Sequence, residues 1–391
     1  MTTDGSLTGL ITADSTTKIE KNGLKIGFTF DRKSDWLSLG LTKEEVAEFD
    51  DDKTIDSIAN TLRDIGHDVD IIGNAHSLVQ RLAENNYDWD IVFNICEGPN
   101  GTIGRESQVP AILESYNIDC VFSDSATLAL CLEKGRTKMI LDYYSIPTAA
   151  YAVVPNLNPK YNDVSETPGA NAISRAPTHY RESLSQFPLF VKPASEGTSK
   201  GISSLSKAET PAHLEEVVKS LMAKYPGQDI LIEKFLSGRE FTVGILGTGN
   251  EAKVIGIAEI LYHTKPGKPK NIDTSPKWQD LEYEDIASIN LSPARDAVII
   301  EVEKIALAAW RVLGCRDCGR IDVRCDVMDD KLAKPHILEV NPLPGLVPNY
   351  SMIVLLAEGS KIAYKDLIGQ IVAEASKRCS KSAFINGHRE N

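Results

Sequence analysis

One hairpin-like stretch near the end of the chain constrains its fold most. It runs Cys318-Gly319-Arg320-Ile321-Asp322-Val323 and, after the turn Met328-Asp329-Asp330-Lys331, His336-Ile337-Leu338-Glu339-Val340-Asn341-Pro342. Two β-branched and aliphatic runs around a polar turn predict a β-hairpin. Side chains alternate faces along a strand, so Arg320, Asp322 and Arg324 share one face of the first arm. Glu339 and Asn341 share one face of the second. If the register brings these faces together, two carboxylates and an amide oxygen converge. Mg²⁺ takes oxygen ligands of that kind beside substrate phosphates. Arg320 would then neutralise charge developing on a phosphoryl group or an oxyanion. The same residues also fit an exposed hairpin with ordinary surface charge, and the hairpin alone leaves both readings open.

With 391 residues the chain is long enough for two or three domains. A net charge of −13 argues against nucleic acid or an anionic membrane as partner. A few local lysines would still suffice for a nucleotide. No apolar run approaches the roughly 20 residues of a membrane span. Met1–Asn22 is rich in Thr, Ser and Gly and lacks the apolar core of a signal peptide, so 1–23 reads as a disordered tail. Seven irregularly spaced cysteines suggest a reducing compartment, hence a cytoplasmic protein. Cys315 and Cys318 form a C-x-x-C without a second pair at zinc spacing. Packing on the strand is favoured there over a redox or metal role.

Along the chain, Lys25–Phe30 predicts a strand, followed by a polar insertion over Asp31–Glu48. Ile55, Ile58, Leu62 and Ile65 recur at helical spacing, with Gly66 at the C-cap position. Val69–Ile72 and Asp90–Ile95 are strands flanking a helix over Ser77–Asn85. A helix over Gln108–Tyr116 leads to a strand at Cys120–Phe122. This alternation predicts an open parallel α/β sheet, with ligands at the carboxyl ends of its strands, where the loop Glu97–Thr102 departs. From Pro147 a second unit begins. Asn156–Ser185 is polar and Pro-rich and reads as a long surface loop or flap.

The strand Phe190-Val191-Lys192-Pro193 then runs into the small-residue loop Ala194–Ile202. Such loops let backbone N–H groups and hydroxyls close on phosphate oxygens, although the spacing is not that of a Walker A loop and a plain turn also fits. Pro211–Lys224 predicts a helix. Asp229–Leu236, Glu240–Leu246 and Lys253–Leu261 predict strands, with Gly247–Asn250 a turn and Tyr262–Ile289 an irregular excursion. Ser292 and Pro293 occupy the N-cap and first-turn positions of a helix whose apolar face is Val298, Val302, Ile305, Ala309 and Val312, ended by Gly314. One or two helices follow Pro348.

An adenine needs an apolar slot with backbone hydrogen bonds, which a strand end such as Glu233–Leu236 offers. Ribose hydroxyls need a carboxylate such as Glu240, and phosphates need lysines and a metal. In this order the parts resemble those of an ATP-grasp enzyme. From about Lys25 to Ala375 the chain resembles the D-alanine–D-alanine ligase branch of that superfamily. The resemblance is carried by Val191-Lys192-Pro193 with Glu196-Gly197-Thr198-Ser199, by Glu233–Val243, by Gly314–Val323, and by Leu338–Asn341 with Pro344-Gly345.

The resemblance implies an α/β and α+β protein. An N-terminal open parallel α/β (pre-ATP-grasp) domain, 24–134, precedes a two-part ATP-grasp fold. That fold comprises a central subdomain, 135–241, and a C-terminal subdomain, 242–378, carrying the metal hairpin, with a tail over 379–391. It implies that Lys134 and Lys192 hold ATP phosphates beneath the loop of Glu196, Thr198 and Ser199. Glu233, Lys234 and Leu236 would line the adenine site, and Glu240 would bind ribose. Lys277 falls where the family keeps a lysine on the γ-phosphate, within surroundings that depart from the family pattern. Asp322, Glu339 and Asn341 would bind two Mg²⁺ ions, with Mn²⁺ an admissible substitute. Arg320 and the Gly345 N–H would stabilise a tetrahedral intermediate, and a homodimer is implied.

The implied reaction couples a carboxylate to an amine through an acyl phosphate, releasing ADP and phosphate. The family places a glutamate at the first substrate's amine, and Glu48, behind the insertion, is the nearest candidate. Asn94-Ile95-Cys96-Glu97-Gly98 stands where a histidine is usual. Pro348-Asn349-Tyr350-Ser351 replaces the acceptor-binding serine-leucine pair at a shortened spacing, which suits a bulkier, more polar acceptor. The substrates are therefore small molecules, amino acids or dipeptides: D-alanine twice, or other partners in a biosynthetic ligase. A catalytically silent ATP-binding regulator is a third reading, against which the full set of Lys192, Arg320, Asp322, Glu339 and Asn341 argues.

Overall fold

The computed structural model describes residues 23–99, 102–156, 165–262, 287–329 and 331–379. Both expected tails, apart from their innermost residues, and residues 263–286 with Lys277 lie outside these. The first unit alternates strand and helix: β1 (Lys25–Phe30), α1 (Lys33–Ser38), α2 (Asp52–Asp64), β2 (Asp68–Gly73), α3 (Ala75–Ala83), β3 (Ile91–Ile95), α4 (Gln108–Ser115), α5 (Ser125–Leu132) and α6 (Lys134–Tyr143). Its sheet is parallel, in the order β2-β1-β3. Helix α2 starts where the Asp51 side chain accepts the Thr54 N–H, and its buried face is Ile55, Ile58 and Leu62. Gly66, at φ 105°, turns the chain out of it.

The strand expected at Cys120–Phe122 is corrected to a single parallel bridge, Val92 to Cys120. Phe122 has a φ of 74° and gives its N–H to the Asp317 carboxylate at 2.7 Å, so the chain leaves the sheet there. The insertion carries α1 and, with Phe49 just beyond it, forms a small core around Trp36 and Val46.

The second unit comprises β4 (Tyr151–Val154), α7 (Pro168–Arg175), α8 (Thr178–Leu184), β5 (Leu189–Pro193), β6 (Lys207–Ala208), α9 (Pro211–Lys224) and β7 (Ile230–Lys234). Its sheet is antiparallel, in the order β4-β7-β5-β6. The surface loop expected over 156–185 is thus corrected, because from Pro168 it holds two helices. Glu215 of α9 caps α7 from outside, accepting the Gly169 and Ala170 N–H groups at 2.9 and 2.7 Å. The face they bury is made of small residues, Ala172 and Ala176, beside Leu184. Such a face offers few large apolar side chains to mark a helix in the sequence.

The third unit holds β8 (Glu240–Leu246), β9 (Lys253–Tyr262), β10 (Ala287–Asn290), α10 (Ala297–Val312), β11 (Cys318–Cys325), β12 (Pro335–Asn341), α11 (Met352–Gly359) and α12 (Tyr364–Ser376). They build a five-stranded antiparallel sheet, β10-β9-β8-β11-β12. The N-cap of α10 is Asp296 rather than Ser292. Asp296 accepts the Ile299 N–H at 2.9 Å and pairs with Arg239 at 2.6 Å, so a tertiary ion pair decides where the helix starts. Phe28 and Ile58 share one core with Ile353 and Ile368, which seats the first unit on the third. All seven cysteines are free thiols, and Cys318 is buried on β11, as packing would have it.

Candidate active site

The expected hairpin forms, and its register does what the alternation of side chains requires. Arg320 pairs with Asn341 and Asp322 with Glu339. Between Asp322 and Val323 the register shifts, leaving Leu338 as the extra residue of a bulge, and Arg324 comes opposite His336. Gly319 permits this packing, since a β-carbon there would stand 2.5 Å from the Asn341 carbonyl and 2.7 Å from the Trp310 ring.

On the inner face Thr242 donates to Asp322 Oδ1 at 2.8 Å and Asn341 Nδ2 to Asp322 Oδ2 at 3.2 Å. Arg320 lies 3.3 Å from Asp322 and 4.0 Å from Glu339, while Lys134 lies 3.5 Å from Glu339. The two carboxylates share this positive charge unequally. Burial would raise Glu339, but Lys134, Lys192 and Arg320 bring it down to about 2. Burial raises Asp322 above the usual carboxylate range, with Arg320 opposing and Glu339 reinforcing that shift.

Lys192, on β5, ion-pairs with Glu233 of β7 at 2.7 Å. Burial works against its charge, but Glu233 and Glu339 hold its pKa above the ordinary lysine value. Lys134 opens α6 and donates to the Glu196 carbonyl at 2.7 Å. In the loop beyond β5, Thr198 and Ser199 take φ values of 44° and 58°, consecutive left-handed residues of a kind that gathers at binding sites. The Glu196 side chain is engaged by Gln228 and by Lys200, the latter at 3.0 Å. Glu240 meets Arg324 at 3.1 Å, and Lys234 donates to the Gln186 carbonyl.

Two adjoining cavities gather the expected residues. The first is lined by Lys192, Glu233, Lys234, Leu236, Glu240 and Asp322, with Ser199 on the loop above. The second, of about 630 Å³, is lined by Asn341, Gly345 and Ser351, by Val46 and Glu48 of the insertion, and by Phe49 just beyond it. Lys134, Glu196, Thr198, Arg320 and Glu339 line both. Glu48 meets Arg105 at 3.2 Å and Lys200 at 3.0 Å, and it packs so closely on Gly197 that a β-carbon there would strike its carboxylate. Arg105 also donates to the Ser195 carbonyl at 2.7 Å.

Sequence reasoning missed Arg105, Lys138, Lys200 and Thr242. Thr242 had a signal, lying two residues from Glu240 on the same strand face. Lys138 had one too, lying four residues beyond Lys134 on one helix face. Lys200 lies in the small-residue loop itself, four residues after Glu196, whereas Arg105 had no such signal.

A family model described as D-ala D-ala ligase C-terminus matches residues 158–373. The chain is 29% identical to the D-alanine–D-alanine ligase of Xylella fastidiosa over 319 residues, 81% of this chain and 91% of the relative. It is 28% identical to that of Parvibaculum lavamentivorans, covering 81% of this chain and 90% of the relative. Among solved structures, the D-alanine–D-alanine ligase of Bacillus anthracis complexed with ATP superposes with a TM-score of 0.65 at 19% identity, covering 92% of this chain and all of the other. The VanG D-Ala:D-Ser ligase of Enterococcus faecalis gives a TM-score of 0.64 at 18% identity, covering 90% and 99%. These structural likenesses give the ATP-grasp fold. Because the family model spans more than half of the residues, the hairpin and the lysine loop included, the chain belongs to the D-alanine–D-alanine ligase family.

Proposed function

We propose that the protein joins two amino acids where its two cavities meet, with D-alanine as the first candidate for both. The observation that carries this reading is that Lys134, Arg320 and Glu339, together with Glu196 and Thr198 of the loop, line both spaces. A group transferred at that junction is reachable both from a nucleotide and from an amino acid. The first substrate's carboxylate attacks the γ-phosphate of ATP, giving an acyl phosphate and ADP. The second substrate's amine then attacks the acyl carbon, phosphate leaves, and the amine's proton is lost.

Lys134 and Lys192 hold the phosphates, with Lys277 as a further phosphate contact, and Thr198 and Ser199 cover them. Glu233, Lys234 and Leu236 border the adenine, and Glu240 receives the ribose. Arg320 and the Gly345 N–H stabilise the tetrahedral oxyanion. Glu48, fixed by Arg105 and Lys200, receives the donor's ammonium with its remaining lone pairs. Asp322, Glu339 and Asn341 offer two carboxylates and an amide at neighbouring register positions, a donor set that fits Mg²⁺. Two such ions held there would neutralise phosphate charge.

A second reading, with substrates other than alanine, is favoured by the 630 Å³ of the second cavity, a volume suited to a drug-sized ligand. A homodimer with no nucleic-acid or membrane partner completes the proposal. Among the described residues no helix is long and apolar enough to cross a membrane.

Incubation with ATP, Mg²⁺ and pairs of amino acids, read by phosphate release and product mass, tests the proposal. A dipeptide formed with equimolar phosphate is expected. ATP binding without any product from a full amino-acid panel would instead support the silent regulator.

A further inference from the structure

Lys138 lines neither cavity and is only 1% exposed, yet it is bound at every turn to groups that lead into the site. Its ammonium lies 2.6 Å from Glu233 Oε1 and donates to Thr148 Oγ1 at 2.6 Å. The Thr148 hydroxyl donates in turn to the Ile337 carbonyl of β12 at 2.8 Å. The other oxygen of Glu233 pairs with Lys192 at 2.7 Å. A continuous chain of polar contacts therefore joins β12 of the third unit, through α6 and β7, to the lysine that faces the nucleotide cavity.

A buried ammonium is unfavourable unless paired, and well-packed apolar side chains often replace buried ion pairs without loss of stability. Stability alone thus gives little reason for a lysine here. Geometry gives a better one. With the Lys138 ammonium in ion contact at 2.6 Å with one oxygen, Glu233 meets Lys192 through the other. Lys192 carries three N–H donors, and this arrangement leaves the remainder for a ligand. Without Lys138 the carboxylate would be free to draw Lys192 onto both oxygens, away from the cavity.

We propose that Lys138 is a positioning residue, which acts through Glu233 to keep Lys192 aimed at the triphosphate. This rests on the ligase reading above. Lys138→Met keeps the volume and removes the charge. It is expected to raise KM for ATP by ~10-fold, the size of a lost charge-assisted hydrogen bond, with a smaller change in KM for the amino acids. Lys138→Arg should recover most of that loss. In a Glu233→Gln background, Lys138→Met should change KM for ATP by less than about twofold, because the group it works through is already neutral.

Thr148→Val removes the second partner of Lys138 more gently. It should raise KM for ATP by about threefold, which keeps the inference testable if Lys138→Met does not fold. Wild-type KM for ATP in Lys138→Met, or in Thr148→Val where only that variant folds, overturns the proposal, as do effects of Lys138→Met and Glu233→Gln that simply multiply. A wild-type protein that binds no ATP would refute the ligase reading itself and this inference with it.

Discussion

Arg320→Ala separates the chemistry from the scaffold. The Arg320 side chain is 28% exposed and makes ion pairs at 3.3 and 4.0 Å with Asp322 and Glu339. Partly exposed pairs contribute about 0.2–1 kcal/mol each, so truncation should lower folding stability by roughly 1 kcal/mol. In a chain of this size that moves Tm by only a few degrees. Loss of a donor to a tetrahedral oxyanion costs about 100- to 1,000-fold in kcat, or about 2.7–4 kcal/mol. It should fall on kcat rather than KM, because the contact is made in the transition state.

A second effect of the same substitution has to be separated from the first. Arg320 opposes the upward shift of Asp322, so its removal pushes that carboxyl higher still and weakens it as a ligand at low pH. Raising the pH reverses this loss but cannot restore an oxyanion donor. The assay is phosphate release at saturating ATP, Mg²⁺ and amino acids, run near neutrality and again a unit or more higher, beside a thermal melt. A kcat lower by at least ~100-fold at both pH values, with Tm within a few degrees, is expected. Turnover within about fivefold of wild type would refute the oxyanion role, and so would a loss that disappears at the higher pH.

Thr242→Val removes the hydroxyl that fixes Asp322 Oδ1 at 2.8 Å, and it should raise the Mg²⁺ concentration for half-maximal activity by ~10-fold. An unchanged Mg²⁺ titration would count against Asp322 as a ligand. Glu48→Gln should raise KM for the donor amino acid by ~10-fold, and it should lower Tm because Arg105, 2% exposed, loses the nearer of its two charged partners and keeps only Glu106 at 4.0 Å. A shift confined to Tm would leave Glu48 a purely structural role. Burial pushes Asp50 up to about 7. The folded chain therefore keeps a proton that the unfolded chain releases near its ordinary value, and this group's contribution to stability falls as pH rises from there to about 7. Asp50→Asn should then stabilise by about 1–3 kcal/mol at pH well above 7, after discounting for residual exposure, and by nothing in acid. Melts at the two extremes that shift equally would refute this.

The hairpin was legible because alternation along a strand is a strict rule. Arg320, Asp322, Glu339 and Asn341 could be assigned to facing sides before any register was known. The bulge at Leu338 was not legible, since neither glycine nor proline marks it. Phe122 failed as a strand residue for a similar reason. Its side chain favours strands, and the conformation that removes it is enforced by Asp317, nearly two hundred positions away. Helix α7 was hidden because it is only eight residues long and buries Pro168, Gly169 and Ala172 rather than large apolar side chains, and the start of α10 was misplaced because Arg239 selects Asp296 over the Ser292-Pro293 signal. In the site, Lys192 and Glu233 lie on short runs with recognisable patterns. The ion pair between Glu48 and Lys200 joins residues 152 positions apart, and no local pattern could carry it.

The acidity of the whole chain and the character of its cleft point in opposite directions, and the pairing of charges reconciles them. Net charge is −13, yet each unit sends a cation to the junction: Lys134 from the first, Lys192 from the second, Arg320 from the third. Each is held by a carboxylate from a strand, Glu339, Glu233 and Asp322 respectively. The desolvation of these cations has therefore already been met in folding. An incoming anion need only compete for donors that are fixed in place, without first stripping water from mobile side chains, which is the condition under which electrostatic preorganisation is strongest. Overall charge thus says little about anion binding in this fold. What matters is that one of these pairs, Lys134–Glu339, joins the first unit to the third while the other two fix their cations within the second and third, so that the cations stand ready wherever the units meet.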